Sequence, residues 1–112
     1  MLTKFSDLEN KSVLVTGGGS GIGAEITKAF IQQGAKVSFV QRSDAEHFCD
    51  KIESEFHSRP YFIKCDVTDL SELKKAVDSA ISIYGDIEIL VNNAANDHRH
   101  ETLNVTEEYW DN

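Results

Sequence analysis

Five of the seven glycines in this chain fall within seven residues, in Thr16-Gly17-Gly18-Gly19-Ser20-Gly21-Ile22-Gly23. The cluster lies between an apolar run, residues 11–16, and a segment whose apolar residues recur at helical spacing. A glycine-rich turn in that position lets the backbone approach a pyrophosphate closely. The helix that follows offers unpaired N–H groups and the positive end of its dipole. Such a site holds a polyanion without lysine. Glycines alone would also make a plain tight turn; the strand before and the helix after favour the anion-binding reading. A nucleoside-triphosphate loop does not fit, because Ala24 and Glu25 follow where Lys-Ser or Lys-Thr would be required.

A second group stands at the end of the next apolar run. A dinucleotide site usually places Asp or Glu there to hold the ribose 2′-hydroxyl of NAD, and this chain has Gln41-Arg42. A carboxylate would repel a 2′-phosphate. Arg42 can pair with one through charge-assisted hydrogen bonds worth about 1.5–3 kcal/mol, roughly ten- to a hundredfold in affinity. NADP is therefore expected as the preferred cofactor, with NAD as the alternative; a solvated loop arginine is the competing explanation of Arg42.

The elements that must position these groups follow from periodicity. Residues 11–16 read as a buried strand, and residues 21–33 as a helix with Ile22, Ile26, Ala29, Phe30 and Gln33 at helical spacing and Gly34 as its stop. Residues 36–40 form a second strand. Ser43 with Glu46 has the form of a capping box opening a second helix with Ala45, Phe48, Cys49, Ile52 and Phe56 inward. Residues 61–65 are a third strand. A third helix over residues 69–84 turns Leu70, Leu73, Val77, Ala80, Ile81 and Tyr84 inward and closes at Gly85. Residues 87–91 suit a strand covered on both faces, and Thr106 reads as the N-cap of a further helix. Alternating strands and helices at this spacing imply right-handed crossovers, a parallel sheet and an α/β fold.

Composition narrows the function. At 112 residues one domain is expected, and 40% hydrophobic with 27% charged residues is ordinary for a soluble protein. A net charge of −8 repels a phosphate backbone, so no nucleic-acid partner is expected. No run approaches the roughly 18 apolar residues of a membrane helix, and residues 1–7 lack signal-peptide shape, so a cytoplasmic protein is expected. Cys49 and Cys65 lie in no metal-ligand spacing and read as reduced core residues.

Three motifs in order, Thr16-Gly17-x-x-x-Gly21-Ile22-Gly23, Asp66-Val67 after strand three and Asn92-Asn93-Ala94-Ala95 after strand four, resemble the short-chain dehydrogenase/reductase family. The resemblance covers essentially the whole chain and about the first half of a typical member. It implies a Rossmann-type doubly wound parallel sheet, truncated after the fourth strand, with order 3-2-1-4. It implies cofactor contacts by Gly17, Gly19, Ser20, Gly21, Ile22, Gly23, Gln41 and Arg42. By the same resemblance Asp66 accepts from the adenine amino group beside the Val67 backbone, Asn93 and Ala94 line the path of the adenosine ribose, and Ala95 is a further cofactor contact. Asn92 braces the sheet centre as much as it touches the cofactor. The family usually has Gly where Ala95 stands.

The segment Asn96-Asp97-His98-Arg99-His100, followed by 105–111, is similar to the branch that oxidises aldoses such as xylose or arabinose at C1. Asn96 and Arg99 are the candidate substrate-binding residues, since a polyhydroxylated substrate needs polar partners beyond strand four. Asp97, His98 and His100 are common ligand types, but no further ligand cluster accompanies them and no metal is expected. Methyl transfer with a nucleoside cofactor would fit Asp66 but not Thr16 with Asn92-Asn93.

In this family a tyrosine kept acidic by a lysine, in Tyr-x-x-x-Lys, handles the hydroxyl proton, with a serine and an asparagine assisting. Four residues after Tyr61 and Tyr84 stand Cys65 and Glu88, and Tyr109 lies too near the end, so these 112 residues contain no such tetrad. The chain reads as the N-terminal part of a longer oxidoreductase that would form homo-oligomers, with a non-catalytic dinucleotide-binding module as the alternative. An open edge at strand four would favour association or marginal stability. A positioned proton carrier contributes typically 10²–10⁴-fold in rate, so the pure chain is expected to show no dehydrogenase activity. Sugar-dependent NADPH formation by the chain would contradict this.

Overall fold

A computed structural model describes residues 6–93 except 18 and 20. After a 3₁₀ turn at Ser6–Leu8 come β1 (Ser12–Thr16), α1 (Gly21–Gln32), β2 (Lys36–Gln41), α2 (Glu46–Phe56), β3 (Tyr61–Lys64), α3 (Leu70–Tyr84) and β4 (Ile89–Val91). The four strands are parallel in the order β3-β2-β1-β4.

Strand alternation explains how both faces of the sheet are used. Val13 and Val15 of β1, with Val37 and Phe39 of β2, pack with Ile31 of α1 and Cys49 and Ile52 of α2. Leu14 and Val40 point the other way and pack with Leu73, Ala76 and Val77 of α3. Every residue of β1 is therefore buried. Full burial of one Val or Leu side chain contributes about 1.5–3 kcal/mol. Phe39 lies at the centre of its face, stacked on Phe62 at 5.1 Å and edge-on to Phe48 at 5.7 Å. Burial pushes both thiols, Cys49 and Cys65, up to about 11, which keeps them protonated at neutral pH.

Register decides where function can sit. Thr16 pairs with Val40, Gln41 with Lys64 and Val15 with Val91, so the loops leaving the C-terminal ends of the four strands gather along one edge. At the opposite edge Glu88 ties the entry of β4 to β1. Its carboxylate accepts from the Ser12 N–H at 3.1 Å and from Lys11 Nζ at 3.2 Å, and its own N–H donates to the Ser12 carbonyl. The Ser12 N–H, and then Lys11, hold this carboxyl below its ordinary range.

Several expectations need correction. Ser43 does not cap α2: the N-cap is Ala45 without a side-chain bond, and Ser43 instead receives hydrogen bonds from Gln41. In α1 the buried stripe is Gly23, Thr27 and Ile31, whereas Ile22 is 68% exposed and Ala29 faces solvent. Small residues let α1 lie close on the sheet, and that rotates Ile22 outward. Leu70 is 52% exposed because it opens α3 ahead of the first buried turn at Leu73. The residues of β4 are half-buried rather than covered, as befits the edge strand of the described sheet. The helix expected at Thr106 lies outside the described residues.

Candidate functional site

The gathered edge is built around the turn from β1 to α1. Gly17 and Gly21 have φ of 69° and 56°, the left-handed region that glycine enters without cost. Gly23 is buried for a different reason. A Cβ there would collide with the Gly17 carbonyl oxygen and lie 2.8 Å from Asn93 Nδ2, so only glycine lets α1 start this close to β1. The first turn of α1 carries no acidic side chain, which leaves the positive end of its dipole unneutralised.

Neighbouring strands hold this turn from both sides. The Gly17 N–H donates to the Val40 carbonyl at 2.6 Å, and its carbonyl accepts from Asn93 Nδ2 at 3.3 Å. The Gly19 N–H donates to Gln41 Oε1 at 2.8 Å. Below the turn, buried Thr16 donates through Oγ1 to Asn92 Oδ1 at 2.9 Å, joining the ends of β1 and β4. Asn92 Nδ2 is buried and has no hydrogen-bond partner among the described residues.

After β3, Asp66 Oδ1 accepts from the Thr68 N–H at 3.0 Å and from Thr68 Oγ1 at 2.6 Å, while the Asp66 N–H donates to Glu72 Oε1. Asp69 caps α3 through the N–H groups of Ser71 and Glu72. The carboxylate of Asp66 is thus fixed in orientation, half-exposed above buried Val67. Arg42 and Ile22 are exposed on the same edge. A glycine-lined turn at a helix start, flanked by a cation at one strand end and a carboxylate at the next, offers the backbone donors that a phosphorylated ligand requires.

The family model for short chain dehydrogenases matches residues 11–112. The chain belongs to that family. It is 42% identical over 111 residues to a probable galactose dehydrogenase of Rhizobium meliloti, covering 97% of this chain and 43% of that protein. It is 39% identical over 110 residues to a D-xylose 1-dehydrogenase of Caulobacter vibrioides, covering 96% of this chain and 42% of that protein. Among solved structures, the L-sorbose reductase of Gluconobacter frateurii, complexed with NADPH and L-sorbose, superposes with a TM-score of 0.71 at 30% identity. That match covers 76% of this chain and 33% of the reductase. This short-chain dehydrogenase chain therefore spans less than half the length of the curated relatives it matches.

Of the residues expected at the site, Gly17, Gly19, Gly21, Ile22, Gly23, Gln41, Arg42, Asp66, Val67 and Asn93 all lie at the C-terminal edge of the sheet. Ser20, Ala94, Ala95, Asn96 and Arg99 lie outside the described residues, as do Asp97, His98 and His100. Among the described residues no group of His, Cys, Asp or Glu could hold a metal ion, and no helix is long and apolar enough to cross a membrane. Tyr84 packs edge-on against Tyr61 at 6.4 Å, and burial raises its pKa, the opposite of what a proton carrier kept acidic requires. Two participants went unread in the sequence. Ser43 receives Gln41 and Thr68 orients Asp66, roles that the sequence reading did not give them; the signal for each was a hydroxyl residue two positions after the polar residue it bonds.

The two kinds of glycine requirement are separable. Gly23→Ala forces a methyl onto a backbone carbonyl and is expected to cost about 3 kcal/mol. Gly21→Ala has nothing within 4 Å, carries only the φ penalty and is expected to cost about 1 kcal/mol. Denaturant unfolding of both variants checks the ranking; equal losses contradict it.

Proposed function

We propose that residues 1–112 form the dinucleotide-binding domain of an NADP-preferring oxidoreductase whose substrate is a sugar. The observation that carries this reading is the glycine turn at the start of α1, held between the ends of β2 and β4, with Arg42 rather than a carboxylate beside it. The residues fit the group. Gly17 and Gly21 give the turn its left-handed bends and Gly23 lets α1 start against it, so that N–H groups of the helix start can face a pyrophosphate; Gly19, Ser20 and Ile22 are assigned to the same phosphates.

Asp66 is assigned to the adenine amino group, the Val67 backbone beside it, Asn93 and Ala94 to the adenosine ribose, and Ala95 to the cofactor next to them. Asn96 and Arg99 are assigned to the hydroxyls of the sugar. The bound nicotinamide would supply the hydride acceptor for oxidation at a sugar carbinol carbon. The names of the two sugar dehydrogenases and the sorbose reductase support the substrate class.

The preference for a 2′-phosphate has support in hydrogen polarity. The Gly19 N–H requires Gln41 Oε1 as acceptor, so Nε2 is the donor and Ser43 Oγ accepts from it at 3.2 Å. The Ser43 hydroxyl hydrogen is then left to donate. An arginine and a donating hydroxyl at this strand end suit a phosphate better than a ribose hydroxyl, and NAD is the weaker alternative.

Because the chain spans less than half the length of the sugar dehydrogenases it matches, activity is assigned to a longer polypeptide, proposed as a cytoplasmic homo-oligomer. Arg42→Ala is expected to weaken NADPH about ten- to a hundredfold and to leave NADH unchanged. Titration followed by dinucleotide fluorescence reads both; equal losses contradict the assignment.

A further inference from the structure

We infer that Gln41 is a positioning residue, a latch that holds the glycine turn in its binding shape, rather than a contact to the cofactor. The inference rests on the dinucleotide reading above and gives Gln41 a role different from the direct contact that its strand-end position suggests.

Both ends of the Gln41 amide are engaged by neighbouring backbone. Oε1 accepts from the Gly19 N–H at 2.8 Å, and Nε2 donates to the Ser43 carbonyl at 3.0 Å and to Ser43 Oγ at 3.2 Å. One side chain therefore bridges the β1–α1 turn and the β2–α2 loop.

Gly19 shows that the fit is mutual. Its backbone is not in the left-handed region that Gly17 and Gly21 occupy, so conformation does not demand glycine there. Packing does as long as the Gln41 amide stays in place: a Cβ on residue 19 would collide with Gln41 Oε1, lie 2.8 Å from Gln41 Cδ and lie 3.0 Å from the Ala45 Cβ, so the amide must leave to admit a side chain there. The amide of Gln41 thus fills the volume that any other residue at 19 would claim.

The Gly17 end of the turn is pinned separately by Val40 and Asn93. A glycine-rich turn loses more freedom on ordering than any other sequence, and fixing it in advance removes that cost from ligand binding. The latch acts on the backbone that would face the pyrophosphate, which NADPH and NADH share. Discrimination between them stays with Arg42 and Ser43.

The test is a double-mutant cycle on the whole chain, read by NADPH and NADH titration, with amide hydrogen exchange of Gly19 measured without ligand. Gln41→Ala is expected to weaken both dinucleotides by the same factor, about two- to tenfold, the worth of one neutral hydrogen bond. Gly19→Ala should cause a similar loss, and the double variant no more than either alone. Gly19 exchange should be slow in the parent chain and at least about tenfold faster in Gln41→Ala, with the amides of β1 unchanged.

Losses that multiply, a changed NADPH-to-NADH ratio, or no loss in Gln41→Ala would overturn the latch. So would a Gly19 amide that exchanges equally fast in both proteins. A parent chain that binds neither dinucleotide would instead overturn the functional reading, and the exchange data would still decide whether Gln41 holds the turn.

Discussion

Because Gly23 carries no side chain, the first turn of α1 comes up against the Gly17 carbonyl, and that contact sets where the helix begins relative to the strand ends. The rest of the edge is arranged around it. Asn93 reaches the same carbonyl from beyond β4, Val40 and Gln41 engage Gly17 and Gly19 from β2, and Thr16 with Asn92 closes the sheet beneath. A larger residue at 23 would move the helix and, with it, the N–H groups and dipole that make the turn attractive to an anion.

The core serves this edge by keeping β1 immobile. Its alternate residues are buried in two separate clusters, one under α1 and α2 and one under α3, so a slip of one residue would exchange the contents of both. Glu88 fixes the height of β4 against β1 from the far edge, which sets the level at which Asn92 and Asn93 emerge. On the surface, Arg59 reaches Glu46, Asp50 and Glu53 at 2.6–2.9 Å, tying the approach to β3 to α2. Exposed pairs of this kind contribute about 0–1 kcal/mol each, so their part is to orient α2 more than to stabilise the fold.

Much of this was legible in the residues. Apolar runs ending in glycine or a polar strand end located every strand, and the strand order implied by the family resemblance is the one observed. The site was legible as positions: glycines after β1, Gln41-Arg42 after β2, Asp66 after β3 and the asparagines after β4 share one edge. Partners were harder. Ser43 with Glu46 satisfied a capping pattern, yet Gln41 is closer to Ser43 and takes both its carbonyl and its hydroxyl, and Ala45 begins the helix uncapped. Ile22 fitted helical spacing, but periodicity gives a stripe and not its direction. The close approach through Gly23 and Thr27 turned that stripe, leaving Ile22 outward at the mouth of the site.

Whether the turn from β1 to α1 receives the phosphates of a dinucleotide is decided by backbone amide NMR spectra of the chain with and without NADPH. The largest shifts are expected on Gly17, Gly19, Gly21, Ile22 and Gly23, with smaller ones at Arg42 and Asp66 and little change on the outer faces of α2 and α3. Shifts that are absent at saturating NADPH, or that gather on α2 or α3 and spare the glycine turn, would contradict it.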